Sequence, residues 1–326
     1  MAGFRKAKPM QAALKLGLYG PPGSGKTFTA LLIAEGLAKI SGKRVAYVDT
    51  ERGTDFYSQA VKERKVHPEA FDFDAMYTRS LAEVIAEVEK AVASHGVIVL
   101  DSITHLWEAA IAAYTGKQTR NGEIPLWAWG RIKKPYKALI AMLLSANVHV
   151  IICGRQGNEY EQSEDDPDKI QKVGVKMKAE GETAYEPHIL ARMEQVRGKD
   201  GALFPTAVVE KDRTGILAGK VIALPTFDNF CRPLLGLLGA SQAEVPDADD
   251  TAANDAAVFQ EQEKQRAEQS AKLLREFDAL ITLAKSPDEL KEVGKKITPE
   301  IKKQMVPGDV TELREIYQLR EKSYQT

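Results

Sequence analysis

Eight consecutive residues, Gly20-Pro21-Pro22-Gly23-Ser24-Gly25-Lys26-Thr27, satisfy the pattern G-x-x-x-x-G-K-[ST]. Their types suit one chemical task. Glycines let backbone N–H groups turn inward toward phosphate oxygens with no Cβ in the way. A helix opening directly after such a loop would aim its positive end at the same oxygens. The Lys26 ammonium would then reach the β- and γ-phosphates of a nucleoside triphosphate, and the Thr27 hydroxyl would ligate Mg2+.

A metal held this way needs a carboxylate from a neighbouring strand. The run Val97-Ile98-Val99-Leu100-Asp101 supplies four apolar residues and then Asp101 at the strand's carboxyl end. Ser102 follows, so a carboxylate that activates water must come from elsewhere. Residues 44–49 read as another strand and lead into Thr50-Glu51-Arg52-Gly53. Glu51 is thereby expected on the phosphate edge, where it could position water for in-line attack. Nothing in the chain resembles an N-K-x-D guanine-reading motif, which favours ATP over GTP.

These residues need a scaffold, and short apolar runs alternating with helical patterns predict an α/β fold with a mainly parallel sheet. Strands are expected at 14–19, 44–49, 96–100 and 149–154, and helices at 27–40, 80–94 and 134–147. After a polar loop, 185–196, 203–210 and 220–224 read as a β-meander. The expected organisation is an ATPase-type domain over 1–239, an acidic Ala/Asp-rich linker over 240–265 and a helical tail over 266–326. Ser286-Pro287-Asp288-Glu289 has the cap, proline and acids of a helix start, and Gly308-Asp309 precedes a last helix. The tail shows no catalytic constellation and reads as an interaction or oligomerisation appendage.

The chain has 326 residues, 44% of them hydrophobic, which supports a substantial core and excludes wholesale disorder. Its 45 Lys+Arg balance 46 Asp+Glu, so no global charge draws it to nucleic acid or an acidic membrane. No apolar run approaches the roughly 18 residues of a membrane span. The basic N-terminus has no apolar stretch behind it, and the two cysteines, Cys153 and Cys231, read as reduced thiols. A cytoplasmic protein is expected.

Residues 20–27, Val48-Asp49-Thr50-Glu51 and 97–102 together resemble the RecA-type ATPase core, and within it the phage-encoded AAA-domain nucleotide-binding proteins associated with recombination. The resemblance spans about 14–239. It implies a RecA-like P-loop fold that binds and hydrolyses Mg·ATP, with Glu51 as the catalytic glutamate and Asp101-Ser102 at the Walker B position. It implies a polar γ-phosphate sensor after the strand at 149–154. Gln156 has the matching residue type, and Arg155 could do the same through a bidentate phosphate contact. It also implies a ring or filament in which basic residues enter a neighbour's ATP site. Lys211 and Arg213 sit where such residues would lie, although a solvated hairpin end explains them too. Phe4-Arg5-Lys6-Ala7 resembles the F-x-x-A plug by which some recombinases dock onto the next subunit. The implied setting is DNA recombination or replication in a phage or prophage, in the bacterial host cytoplasm. A single-strand-binding or annealing protein is then a candidate partner of the tail.

The segment from Lys117 and Arg120 through Trp127, Trp129, Arg131 and Lys133 to Lys134 mixes cations with indoles, which suits single-stranded DNA. Alternatively the indoles pack beneath the loop and the charges are solvated. The stretch 157–174 carries Glu159, Glu161, Glu164, Asp165, Asp166 and Asp168, too acidic for a DNA grip, and reads as a regulatory or partner-contacting loop. Two other functions fit the same residues: a hexameric helicase or translocase, and a nucleotide-switched loader or adaptor with negligible turnover.

Overall fold

The computed structural model describes residues 13–118, 124–162, 170–199, 201–237 and 248–324. The chain divides into two compact units, Met1–Val245 and Pro246–Thr326.

The first unit is built on one sheet. In chain order its elements are β1 (Lys15–Gly20), α1 (Lys26–Ser41), β2 (Val45–Asp49), β3 (Asp74–Tyr77), α2 (Leu81–Ser94), β4 (Val97–Asp101), α3 (Ile103–Gln118), α4 (Trp129–Ser145), β5 (His149–Gln162), β6 (Ile170–Met177), β7 (Ile189–Arg197), β8 (Leu203–Asp212) and β9 (Val221–Ala223). The sheet order is β3-β2-β4-β5-β1-β7-β8-β9, with β6 paired to β5. Neighbours from β3 to β7 are parallel, and β8 and β9 continue antiparallel. This is a P-loop NTPase core with a mainly parallel sheet and a C-terminal meander.

The central strands are apolar because both faces are covered. In β4, Val97 and Val99 pack with Ile33 and Leu37 of α1, while Ile98 and Leu100 pack with Val84, Leu106 and Leu139 of α2, α3 and α4. Lys15 is the polar exception in β1. Its ammonium donates to the carbonyls of Leu143, Ala146 and Val148 at 2.6, 2.7 and 2.8 Å, satisfying groups at and beyond the carboxyl end of α4. Register then aligns the strand ends: Asp49 lies beside Asp101, and Asp101 beside Cys153.

Three features of the first unit depart from the sequence pattern, the first being β3, a short and largely exposed edge strand that no apolar run marks. Helix α3 follows β4 almost at once, and its run of alanines and apolar residues gave no clear helical stripe. The polar stretch after Gly154 is a hairpin instead of a loop. β5 continues to Gln162 and pairs antiparallel with β6, from Gln156 opposite Met177 to Gln162 opposite Ile170. Because its residues are largely polar, it lacks the apolar alternation that marks a half-buried strand. Glu159 and Glu161 are therefore strand residues. Glu164, Asp165, Asp166 and Asp168 lie outside the described residues, as does Phe4-Arg5-Lys6-Ala7.

The second unit is helical, with α5 (Ala248–Leu283), α6 (Pro287–Lys296), α7 (Pro299–Gln304) and α8 (Pro307–Lys322). Phe277, Ile281, Leu290, Val293, Met305 and Leu313 form its core. Ser286 caps α6 as its sequence predicts, its Oγ accepting from the Glu289 N–H at 3.2 Å. Thr298-Pro299-Glu300 repeats the device at the start of α7. Gly308 and Asp309 sit within the first turn of α8 and do not precede it. The linker expectation for 240–265 is corrected from Ala248 onward, where α5 has begun. Alanine is the strongest helix former, and acids near a helix N-terminus suit its dipole.

Candidate nucleotide site

The phosphate loop spans the gap between β1 and α1. Gly23 and Gly25 have φ of 75° and 88°, the left-handed region that side chains with a Cβ resist. Gly25 caps α1 without a side-chain hydrogen bond, so no side chain takes the first-turn N–H groups that suit an anion. A Cβ on Gly20 would sit 2.3 Å from the Met193 carbonyl oxygen. Gln195 of β7 donates its amide to the Gly23 carbonyl at 2.6 Å and steadies the loop. The Lys26 ammonium donates to the carbonyls of Gly20 and Pro21 at 3.1 and 2.9 Å. Ser24 Oγ is buried without a hydrogen-bond partner.

The two residues expected to ligate a metal meet where α1 begins beside the end of β4. Thr27 Oγ1 donates to Asp101 Oδ2 at 2.6 Å, and Tyr47 Oη donates to the same oxygen at 2.8 Å. Burial raises the Asp101 carboxyl above the usual carboxylate range, opposed by those two hydrogen bonds. One hydroxyl and one buried carboxylate are hard oxygen donors, and the uncapped glycine loop lies beside them. The set fits Mg2+ completed by nucleotide phosphate and water. Among the described residues no group of three or more His, Cys, Asp or Glu could hold a metal on protein ligands alone.

Asp49 builds the turn that carries Glu51. Its Oδ1 accepts from the N–H groups of Glu51 and Arg52 at 2.8 and 2.7 Å, and its Oδ2 from Thr54 N–H and Oγ1 at 2.9 and 2.5 Å. Thr50 ties the turn to β4, its N–H donating to the Asp101 carbonyl at 2.7 Å and its Oγ1 accepting from Ser102 N–H at 2.8 Å. His105 Nδ1 lies 2.8 Å from Thr50 Oγ1 and 3.8 Å from Glu51 Oε1. Burial, followed by the Arg155 charge, lowers the imidazole pKa below its ordinary value.

A cavity of about 530 Å3 unites these parts. Lys26, Thr27, Glu51, Asp101, Arg155 and Gln156 all line it, as do Pro22, Gly23 and Gly25 of the loop. Phe28, Tyr57 and Lys178 line it too, and sequence reasoning missed all three. Phe28 and Tyr57 stack with ring centroids 5.9 Å apart. Lys178 follows β6 and pairs with Glu108 at 2.7 Å. No motif flags these residues or His105: Phe28 and His105 sit in the first turns of α1 and α3, and Tyr57 and Lys178 in connections, all of unremarkable sequence.

Lys211 and Arg213 do not line this cavity. Both donate to the Tyr185 carbonyl, and Lys211 also donates to that of Pro187 at 2.8 Å. The basic and aromatic segment divides. Trp129 packs near Trp107, with centroids 6.3 Å apart, and Lys133 pairs with Glu180 at 2.8 Å. Trp127 is 65% exposed, with the Arg131 guanidinium 5.5 Å above its ring. Arg120 lies outside the described residues.

A family model described as "AAA domain" matches residues 12–200, more than half of the chain. The chain belongs to this AAA-domain family. The matched stretch runs from β1 through β7 and holds the phosphate loop, Glu51, Asp101, Arg155 and Gln156. Its domain is therefore of the P-loop nucleotide-binding kind, and the cavity is lined by residues of the matched stretch. No curated protein matches the chain. Among the described residues no helix is long and apolar enough to cross a membrane.

Proposed function

We propose that the chain is a RecA-like ATPase that binds Mg·ATP in the 530 Å3 cavity and hydrolyses it. The observation that carries this reading is the convergence of Lys26, Thr27, Asp101 and Glu51 on one cavity from three strand ends. Gly20 through Thr27 cradle the phosphates, and Lys26 leaves the loop carbonyls to meet the β- and γ-phosphates. Thr27 and Asp101 would hold Mg2+, which when bound offsets phosphate charge. Glu51 orients water and takes up its proton, and Arg155 or Gln156 contacts the γ-phosphate.

The proposed setting is DNA recombination or replication, in a phage or prophage within the bacterial host cytoplasm. Single-stranded DNA is the proposed ligand of the segment from Lys117 to Lys134, because exposed Trp127 beneath Arg131 offers a stacking face beside a cation. Self-association into a ring or filament would place Lys211 and Arg213 at a neighbour's nucleotide. A single-strand-binding or annealing protein is the proposed partner of the tail. One observation favours a second reading, a nucleotide-switched adaptor with negligible turnover: Arg155 already occupies the Glu51 carboxylate.

Steady-state ATP turnover with and without single-stranded DNA, alongside solution mass with and without nucleotide, tests this. Turnover that rises with DNA and is abolished in Lys26→Ala is expected. Turnover unaffected by Lys26→Ala would overturn the reading, and ATP binding without turnover would favour the adaptor.

A further inference from the structure

The second unit carries a groove whose chemistry the nucleotide site does not use. Helices α6, α7 and α8 border a cavity of about 710 Å3. Ile297, Val310, Leu313 and Tyr317 give it an apolar floor. Tyr317 packs on Gly294, where a Cβ would lie 2.8 Å from the phenolic oxygen, and its hydroxyl donates to the Leu290 carbonyl at 3.2 Å. The ring is therefore fixed as part of the wall.

The rim is basic. Lys291 and Lys295 lie one turn apart on α6, Lys302 on α7 and Arg314 on α8, and Glu321 is the sole carboxylate among the lining residues. Lys291 and Lys295 have exposed partners on their own helix, Asp288 at 3.8 Å and Glu292 at 2.5 Å. Such pairs exchange readily with solvent and contribute little. Lys302 and Arg314 are exposed and have no ion-pair partner among the described residues. Apolar floor and cationic rim together call for a ligand that carries both carboxylates and a bulky apolar side chain. Nucleic acid would match the rim but gain little from aliphatic side chains, since stacking needs flat rings and Tyr317 is the one ring in the lining.

We propose that this groove binds an acidic peptide segment of a partner protein. The peptide's carboxylates pair with Lys302 and Arg314, and an aromatic or large aliphatic side chain sits on Val310, Leu313 and Tyr317. The test uses the full chain and a fluorescent peptide of several aspartates ending in phenylalanine, followed by anisotropy. Binding is expected to weaken about tenfold or more when the phenylalanine becomes serine, when salt is raised, and in the Lys302→Glu, Arg314→Glu double variant. Circular dichroism checks that the variant keeps its helices, and Lys302→Gln with Arg314→Gln serves if charge reversal disturbs them. The proposal is overturned by no binding to the intact chain, by unchanged peptide binding in the variants, or by loss of oligonucleotide affinity in place of peptide affinity. A drop in solution mass in the variants without peptide would assign the groove to a second copy and overturn it equally.

Discussion

Arg155 and Glu51, 104 residues apart in the chain, meet at the nucleotide cavity: Nε lies 3.0 Å and Nη2 2.9 Å from the same Oε1. Arg155 reaches it from β5 and Glu51 from the turn after β2. Both are partly exposed, so the contact is a modest energy held in a defined geometry. A γ-phosphate entering the cavity would compete for the guanidinium and free the carboxylate.

That exchange predicts different phenotypes for the two residues. Glu51→Gln keeps shape but cannot take up charge, so nucleotide binding should survive while turnover falls about 10²-fold or more. Arg155→Ala should lower the preference for ATP over ADP about tenfold, with ADP affinity nearly unchanged. Titration with both nucleotides and single-turnover kinetics check this. A loss of discrimination in Gln156→Ala instead would move the sensor one residue along.

Lys211 and Arg213 should act between copies, since within the chain they donate to the Tyr185 carbonyl and do not line the cavity. Replacing both with alanine is expected to leave ATP binding nearly intact and to slow hydrolysis strongly. Mixing that variant with Lys26→Ala protein should restore part of the activity, because a mixed interface pairs an intact loop with intact cations. Absence of rescue would make them local cations that close the turn near Tyr185.

Two loop glycines should fail for different reasons. Gly20→Ala puts a Cβ 2.3 Å from the Met193 carbonyl oxygen, so β1 and β7 must part. Gly23→Ala meets nothing within 4 Å and suffers only its φ of +75°, at about 1–2 kcal/mol. Thermal melts should show the larger loss for Gly20→Ala, and near-equal losses would contradict the close approach.

Acidification should weaken the fold through His149. Its Nδ1 accepts the Leu14 N–H at 2.9 Å, which requires a neutral ring. Burial, with Lys15 adding to it, lowers its pKa from 6.5 to about 4. A folded pKa below the unfolded one gives stability that is whole above pH 6.5 and lost as pH falls toward 4. At about 1.4 kcal/mol per pH unit, the loss from this group approaches about 3 kcal/mol. His149→Asn keeps an acceptor without the titration, so the stability gap between wild type and variant should shift toward the variant by that amount in urea melts at the two pH values.

Local chemistry made part of this protein legible in its sequence. The octapeptide 20–27 specifies its own turn, because Gly23 and Gly25 adopt backbone angles that other residues resist. The run 97–101 specifies a buried strand ending in a carboxylate, and Ser286-Pro287-Asp288-Glu289 a capped helix start. The alternation of such units suffices for a parallel α/β core. Which side chains meet was decided by the sheet, since β5 lies between β1 and β4 and brings Arg155 to Glu51 while Thr27 still reaches Asp101. Tyr57 and Lys178 join the site only because their connections return to it, and the basic groove exists only once three helices pack. Short-range propensity and steric fit are written in neighbouring residues; contacts closed over a hundred residues depend on strand order and register, which no local pattern encodes.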